Sequence, residues 1–223
     1  MSSRRRPSSR SFGIGCWLLL AASLVAFAAF LFTGQRLARA VRARLSSPAA
    51  QVAGAREILH AVSYPAGYEP TLSLTVPLLG RVVVLEDAGA GVFPRGLFLY
   101  LDGRRSDDAA GTSQDLAGLL GLRGLALTPA APLVEGRLTV GGQELDYRSL
   151  RTTVVTRPHG SHPVLAALVE VRCRNSTRAG GVGAWIAADP TPWVPADQLD
   201  LRGTPADPEA IRAFLAGFRF CSR

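Results

Sequence analysis

Lysine is absent from this sequence, and all 25 basic side chains are arginine, which against 17 acidic residues gives a net charge of +8. Eight of the arginines precede residue 46, and the other 17 balance all 17 acidic residues. The basic excess therefore belongs to the N-terminal segment, and the rest of the chain is neutral. A neutral globular part offers no basic face for nucleic acid, so we predict no nucleic-acid partner.

The residues that carry most catalytic and metal chemistry are scarce, since the chain has three histidines and three cysteines. The Gly-x-Ser-x-Gly turn of serine hydrolases is absent. The glycine-rich stretch at residues 180–183 leads into a predicted strand, whereas a phosphate-binding loop leads into a helix. We therefore predict no cofactor, no metal and no catalytic residue.

One histidine cluster is the exception to this scarcity. His159 and His162 lie three residues apart in a segment rich in glycine and proline, where both could ligate a metal. A catalytic zinc needs a third protein ligand, and His60 is the only other histidine. A hairpin loop with two exposed histidines explains the same residues. We keep the pair as a candidate ligand loop.

Charge is missing from residues 12–33, a run of 22 mostly apolar residues. About 20 such residues cross a bilayer, so we predict a transmembrane helix over residues 12–34, preceded by a basic arm over residues 1–11. A signal peptide cleaved after Ala28 is the alternative. The apolar run continues past that point through Phe30, Leu31 and Phe32, which favours an uncleaved anchor.

Four arginines flank each end of the predicted span, so the numbers of positive charges on the two sides give almost no preference for an orientation. The arm is short, and large C-terminal domains translocate with little regard to their charge, which favours a cytoplasmic N-terminus and an extracytoplasmic domain. A helical stem is predicted over residues 35–62, with its first arginines at the level of anionic lipid headgroups. Those arginines are Arg36, Arg39, Arg42 and Arg44.

Cys16 lies in the predicted span, which leaves Cys173 and Cys221 as the cysteines of the domain. In an oxidising compartment they could form one disulfide across 48 residues. In a reducing compartment they would be two buried thiols that pack as small apolar side chains. We keep them as a candidate disulfide whose state reports the orientation.

The hydrophobic pattern predicts an α+β domain over residues 63–223, with a mostly antiparallel sheet and packed helices. Residues 64–70 form a turn-rich connector, and residues 189–205 are irregular, with Trp193 capping an edge of the core. Strands are predicted at 72–76, 82–86, 97–101, 137–140, 144–156, 164–173 and 182–188. The strands 137–140 and 144–156 flank a hairpin turn at Gly141-Gly142. Helices are predicted from Pro48 to about residue 62, over 113–120 and after an Asp207 cap.

Two segments resemble a known family. They are the connector Tyr64-Pro65-Ala66-Gly67-Tyr68-Glu69-Pro70 and the closing helix Ile211-Arg212-Ala213-Phe214-Leu215-Ala216-Gly217-Phe218. Around a β meander they resemble bacterial single-pass membrane proteins that carry a small α+β domain of the Mog1/PsbP-like type. The resemblance covers roughly residues 57–221 and implies that fold, with no catalytic residue attached.

These observations predict a membrane-anchored, non-enzymatic, extracytoplasmic domain that binds a protein or an envelope ligand. The bilayer itself is a second partner, through the N-terminal helix and the stem arginines. The alternative is a membrane-anchored hydrolase, metal-assisted through the His159/His162 loop.

Overall fold

The computed structural model describes residues 47–76, 80–87, 96–102, 120–121, 125–128, 130–156, 160–173 and 180–221. The strands in these ranges are β1 (Tyr68–Val76), β2 (Gly80–Asp87), β3 (Gly96–Asp102), β4 (Leu125–Leu127), β5 (Pro132–Val140), β6 (Gln143–Thr156), β7 (Gly160–Val171) and β8 (Gly181–Ala188). Helix α1 (Pro48–Leu59) precedes the strands. A short 3-10 turn (Ala196–Gln198) and helix α2 (Pro208–Leu215) follow them.

The strands form one curled antiparallel sheet in the order β1-β2-β3-β8-β7-β6, and both β4 and β5 pair with the far side of β6. β6 has 14 residues, so its first part pairs with β5 and its last three residues pair with β4. The predicted α+β class, the β1-β2-β3 meander and the hairpin at Gly141-Gly142 are confirmed.

The central strands are buried on both faces of the sheet. Every residue of β3 is buried, with Phe98 and Tyr100 in one core and Leu97 and Leu99 in the other. Successive side chains of a strand point to opposite faces, so a strand covered on both sides needs apolar residues throughout. This explains why the central strands are continuous apolar runs in the sequence.

Helix α1 contacts the edge strand β1 at Ser73. Gln51 is 3% exposed, and its side-chain oxygen accepts a hydrogen bond from the backbone N–H of Ser73. Gly54 lies so close to Ser73 that a Cβ at position 54 would collide with the serine hydroxyl. The helix thus supplies a partner for one backbone group of this edge strand, the N–H of Ser73.

Helix α1 ends at Leu59, three residues before the predicted end. His60 has a φ of 45°, and a residue in this left-handed region stops a helix. The carbonyl of Leu59 accepts from the N–H of Arg219 at 2.9 Å, and the N–H of Val62 donates to Gly217 at 3.0 Å. The chain after α2 therefore supplies the backbone partners that a longer helix would have used.

Strand β1 begins inside the segment predicted as a connector. The N–H of Tyr68 donates to the carbonyl of Pro65 at 3.0 Å, and Gly67 has a φ of 83°, so the turn is complete in four residues. Pairing with β2 then starts at Tyr68, opposite Asp87. Pro70 fits because β1 is an edge strand whose register is irregular at that point.

Helix α2 begins as predicted, with Asp207 as its N-cap and Pro208 in the first turn. Its buried face consists of Ile211, Phe214 and Leu215. The Phe214 ring stacks on Trp185 of β8 with ring centroids 4.2 Å apart. Stacked aromatic side chains bury large apolar areas, so this contact fixes α2 on the sheet.

The Asp207 cap gives a first testable prediction. One carboxylate oxygen accepts from the N–H of Glu209 at 3.0 Å, and the other accepts from the N–H of Gly203 at 2.9 Å. We expect Asp207→Ala to lower the free energy of unfolding by about 1 kcal/mol, measured by chemical denaturation. Glu209→Gln keeps the cap and is the control, with an expected change below about 0.5 kcal/mol. Equal losses in the two variants would contradict the capping role.

Four predicted features lie outside the described residues: the basic arm 1–11, the span 12–34, the stem up to residue 46 and most of the helix 113–120. Leu120 at the end of that helix is helical and buried. In the part of the chain that the structure describes, every helix is too short or too polar to cross a bilayer. From Pro48 onward the chain forms one compact unit.

Candidate functional site

The structure places His162 in a strand. It lies in β7 opposite Val154 of β6 and is partly buried. β7 begins at Gly160 because β6 continues to Thr156 and so provides partners for residues 160–163. Residues 160–163 therefore lie in a strand and not in the predicted loop, although Gly160, Ser161 and Pro163 are exposed. His159 lies outside the described residues, so the structure leaves the pairing of the two histidines untested.

The described residues contain no metal-binding cluster: nowhere among them do three or more His, Cys, Asp or Glu side chains come together to hold an ion. The third histidine, His60, lies at the end of α1. The candidate ligand loop remains a sequence prediction.

The two cysteines of the domain come together. Cys173 follows β7, Cys221 follows α2, and their Cα atoms are 5.4 Å apart in a disulfide arrangement. Phe220, next to Cys221, donates its N–H to the side-chain oxygen of Gln143 at 3.2 Å. The candidate pair is thus disulfide-compatible, and it ties the segment after α2 to the end of the sheet.

A single arginine holds the segment after β8 against the sheet. Arg151 of β6 donates to the carboxylate of Asp189 at 2.7 Å, to the carbonyl of Thr191 at 2.8 Å and to the carbonyl of Val194 at 2.6 Å. The Asp189 side chain is 0% exposed and that of Arg151 is 19% exposed. The planar guanidinium suits this set because it presents several donors in a fixed geometry. We call residues 189–195 the Trp193 loop.

The tip of the Trp193 loop is a tight turn. The N–H of Val194 donates to the carbonyl of Thr191 at 3.0 Å, which places Pro192 and Trp193 at the two central positions. The N–H of Thr191 donates to the Asp189 carboxylate at 2.9 Å. Proline restricts the first central position, and Arg151 binds the carbonyls at both ends, so the turn is held before any partner binds.

Trp193 is the most exposed large apolar side chain among the described residues, at 78% exposure. The sequence context predicts that Trp193 caps an edge of the core, and this prediction is wrong. Val155, on the same strand and face as Arg151, is 45% exposed. The N–H of Asp189 donates to the carbonyl of Pro163 at 3.1 Å, which fixes the base of the loop beside exposed residues of β7.

The residues between the Trp193 loop and helix α2 are also attached to the domain. The Ser149 hydroxyl of β6 donates to the carbonyl of Pro205 at 3.0 Å in a buried position. At the surface, the hydrogen bond from the Arg202 side chain lowers the pKa of Asp200 from 3.8 to about 2. Asp200 is therefore ionised at any ordinary pH, and its local pair with Arg202 persists.

The role of Arg151 could not be read from the sequence, because its partners lie 38 to 43 residues further along the chain. The signal that does exist is the composition of Asp189-Pro190-Thr191-Pro192-Trp193, where an Asx turn, two prolines and a tryptophan follow one another. A tryptophan between prolines in a turn is a candidate for an exposed, fixed side chain.

No protein-family model matches the chain, and no curated protein matches it. Among solved structures, the chain is similar to the Ran-binding protein Mog1p of Saccharomyces cerevisiae and to a point mutant of Mog1. In both comparisons the identity is 14%, the match covers 69% of this chain and 84% of the other, and the TM-score is 0.38. This is a distant structural likeness to Mog1, and no function follows from a score of that size.

Proposed function

We propose that this chain is a membrane-anchored, extracytoplasmic binding domain that recognises a protein partner through the Trp193 loop. The observation that carries the proposal is an indole exposed at 78% on a turn whose two end carbonyls are bound by one arginine. An exposed indole on a turn that is already held in place offers a partner a large apolar surface to cover.

Tryptophan is well suited to dominate a small interface. Residues that cost more than about 2 kcal/mol when truncated are enriched in Trp, Tyr and Arg. The indole supplies a large apolar area, and its N–H can donate a hydrogen bond. A turn that is already fixed loses little backbone freedom on binding, so more of the contact energy contributes to affinity.

The location in the proposal rests on two features of the chain. The first is the uncharged run of residues 12–33, which is long enough to cross a bilayer. The second is the disulfide-compatible pair of Cys173 and Cys221, because disulfides persist in oxidising compartments. Arg36, Arg39, Arg42 and Arg44 would then lie at the membrane surface, where each arginine adds about 1 kcal/mol of attraction to anionic lipid.

The experiment is site-specific photo-crosslinking of the full chain in the cells that make it. A photoreactive amino acid at Gln198, an exposed position beyond the Trp193 loop, is expected to give a discrete protein adduct. The same amino acid at Val62, which is 72% exposed elsewhere on the domain, is the control and is expected to give none.

Replacing Trp193 by Ala tests the loop directly. We expect the Gln198 adduct to fall about thirtyfold in Trp193→Ala, which corresponds to about 2 kcal/mol of binding energy. The free energy of unfolding is expected to change by less than about 0.5 kcal/mol, because the side chain is exposed. An adduct of undiminished yield in this variant, or equal adducts from Val62 and Gln198, would contradict the proposal.

A further inference from the structure

The two edges of the sheet differ in how they are covered. Helix α1 contacts the edge strand β1 at Ser73, through Gln51 and Gly54. At the opposite end, no strand among the described residues pairs with the outer edge of β5. Five of the nine residues of β5 are exposed, namely Pro132, Glu135, Gly136, Arg137 and Thr139. An open edge presents backbone donors and acceptors that another strand can use.

The hairpin between β5 and β6 determines which backbone groups point outward. Gly141 and Gly142 have φ values of 57° and 78°, so they form the two-residue turn that is closed by Val140 opposite Gln143. The closing pair exchanges both backbone hydrogen bonds, and bonded and non-bonded pairs then alternate along the ladder. By this alternation the backbone N–H and C=O groups of Gly136 form hydrogen bonds with β6. The same groups of Glu135 and Arg137 point away from β6.

We propose that the outer edge of β5 docks a second copy of this chain, with the two β5 strands antiparallel about a two-fold axis at Gly136. In this register Glu135 lies opposite Arg137 of the partner subunit, and Arg137 lies opposite the partner's Glu135. Both positions have outward-pointing backbone groups, so each pair can exchange two hydrogen bonds. Gly136 meets the partner's Gly136 at a non-bonded position, where Cα atoms are about 4.5 Å apart.

Charge favours this register over its neighbours. Within one chain Glu135 pairs with Arg148 at 3.4 Å, and Arg137 pairs with Asp146 at 2.9 Å. In the dimer Glu135 would lie between Arg148 and the partner's Arg137, so the signs alternate across the axis. An axis moved by one residue to Arg137 would place two guanidinium groups opposite each other, and like charges opposite one another are destabilising. The same charges disfavour the pairing of β5 with unrelated strands that lack the complementary charges.

Gly136 is suited to the axis position. A Cβ atom at position 136 would lie 3.2 Å from the Tyr147 ring, so the ring occupies the space on that face of the strand. Close approach of another backbone is one of the situations in which a strand contains glycine. With a glycine from each copy at the axis, no side chain of β5 or of the partner's β5 stands on that face of the sheet at the point where the two strands meet.

Symmetric cross-linking tests the register. In the full chain purified in detergent, with Cys16→Ser as background, Gly136→Cys is expected to form an intersubunit disulfide under mild oxidation. Thr139→Cys is the matched control: its two copies would be about 20 Å apart along the paired strands, too far for a disulfide. We expect at least about tenfold more cross-linked dimer from Gly136→Cys than from Thr139→Cys.

A second variant covers the case in which Gly136→Cys does not fold. Glu135→Cys combined with Arg137→Cys changes two exposed positions and is expected to cross-link position 135 to the partner's position 137, because bonded pairs have Cα atoms about 5.5 Å apart. Cross-linking of the single variant Arg137→Cys to itself would place the axis at 137 and overturn the proposed register. Equal yields from all positions would overturn the specific contact.

Proline at an outward position tests the backbone contact itself. Arg137→Pro removes an N–H that points away from β6, so the β5–β6 hairpin is expected to remain while the dimer is lost in sedimentation velocity. Arg137→Ala keeps that N–H and is the control, with a weakened but detectable dimer. A monomeric wild-type chain, or an Arg137→Pro variant that dimerises like the wild type, would overturn the proposal.

Discussion

Replacing Cys221 by Ser is expected to lower the free energy of unfolding by about 4 kcal/mol when the wild-type chain is oxidised. The pair joins positions 48 residues apart, and a cross-link over such a loop restricts the unfolded chain strongly. For a domain of this size the same loss corresponds to a fall in Tm of roughly 8–16 °C. Thermal and chemical denaturation of the purified full chain measure both values.

Two controls separate the effect of losing the disulfide from the effect of removing a cysteine side chain. Cys16→Ser removes the cysteine of the predicted span and is expected to leave the stability of the domain unchanged. Reduction of the wild-type chain is expected to reproduce the stability of Cys221→Ser. If reductant has no effect and Cys221→Ser is as stable as Cys16→Ser, the bond does not contribute to the folded domain.

The second large effect is expected from Arg151→Ala. Removal of the guanidinium leaves the Asp189 carboxylate buried without its cation, and breaking a buried ion pair in this way costs about 3–5 kcal/mol. The carbonyls of Thr191 and Val194 also lose their hydrogen bonds from Arg151. We expect the free energy of unfolding to fall by that amount. Hydrogen exchange at the Val194 amide should accelerate, because the turn that protects this amide is no longer held.

A neighbouring arginine provides the control. Arg148, three residues earlier on β6, pairs with Glu135 at 3.4 Å in an exposed position, and exposed pairs contribute about 0–1 kcal/mol. Arg148→Ala is therefore expected to cost far less than Arg151→Ala. Arg151→Lys keeps the charge without the planar set of donors, so its loss should fall between the two. Equal losses for Arg148→Ala and Arg151→Ala would contradict the role given to the buried pair.

Local signals in the sequence predicted several elements well. The turn at Gly141-Gly142 requires positive φ at both positions, which glycine adopts readily, so the hairpin could be predicted from four residues. The start of α2 was predictable in the same way, because Asp207 and Pro208 satisfy a helix N-terminus without help from the rest of the fold.

Features that depend on distant contacts could not be predicted in this way. α1 stops at Leu59 because residues beyond α2 provide its last backbone partners. β7 starts at Gly160 because β6 is long enough to pair with it, although glycine and proline in that stretch favour a loop.

The candidate site shows the same division. The turn chemistry of the Trp193 loop is local, and its proline and aspartate positions are visible in the sequence. The turn that carries Trp193 is bound by Arg151, which reaches the loop from β6. The sequence therefore predicted an irregular segment and missed that it is a fixed turn with an exposed indole.

The measurement that tests the central claim most directly combines the location of the domain with the state of its cysteines. Intact cells, or membrane vesicles of known orientation, that contain the full chain are treated with a protease that cannot cross the membrane. In the same sample, free thiols are blocked, and Cys173 and Cys221 are counted before and after reduction. We predict that the domain is cleaved from outside and that both cysteines react only after reduction. A domain protected from protease, with both thiols free, would place it in the cytoplasm and contradict the account.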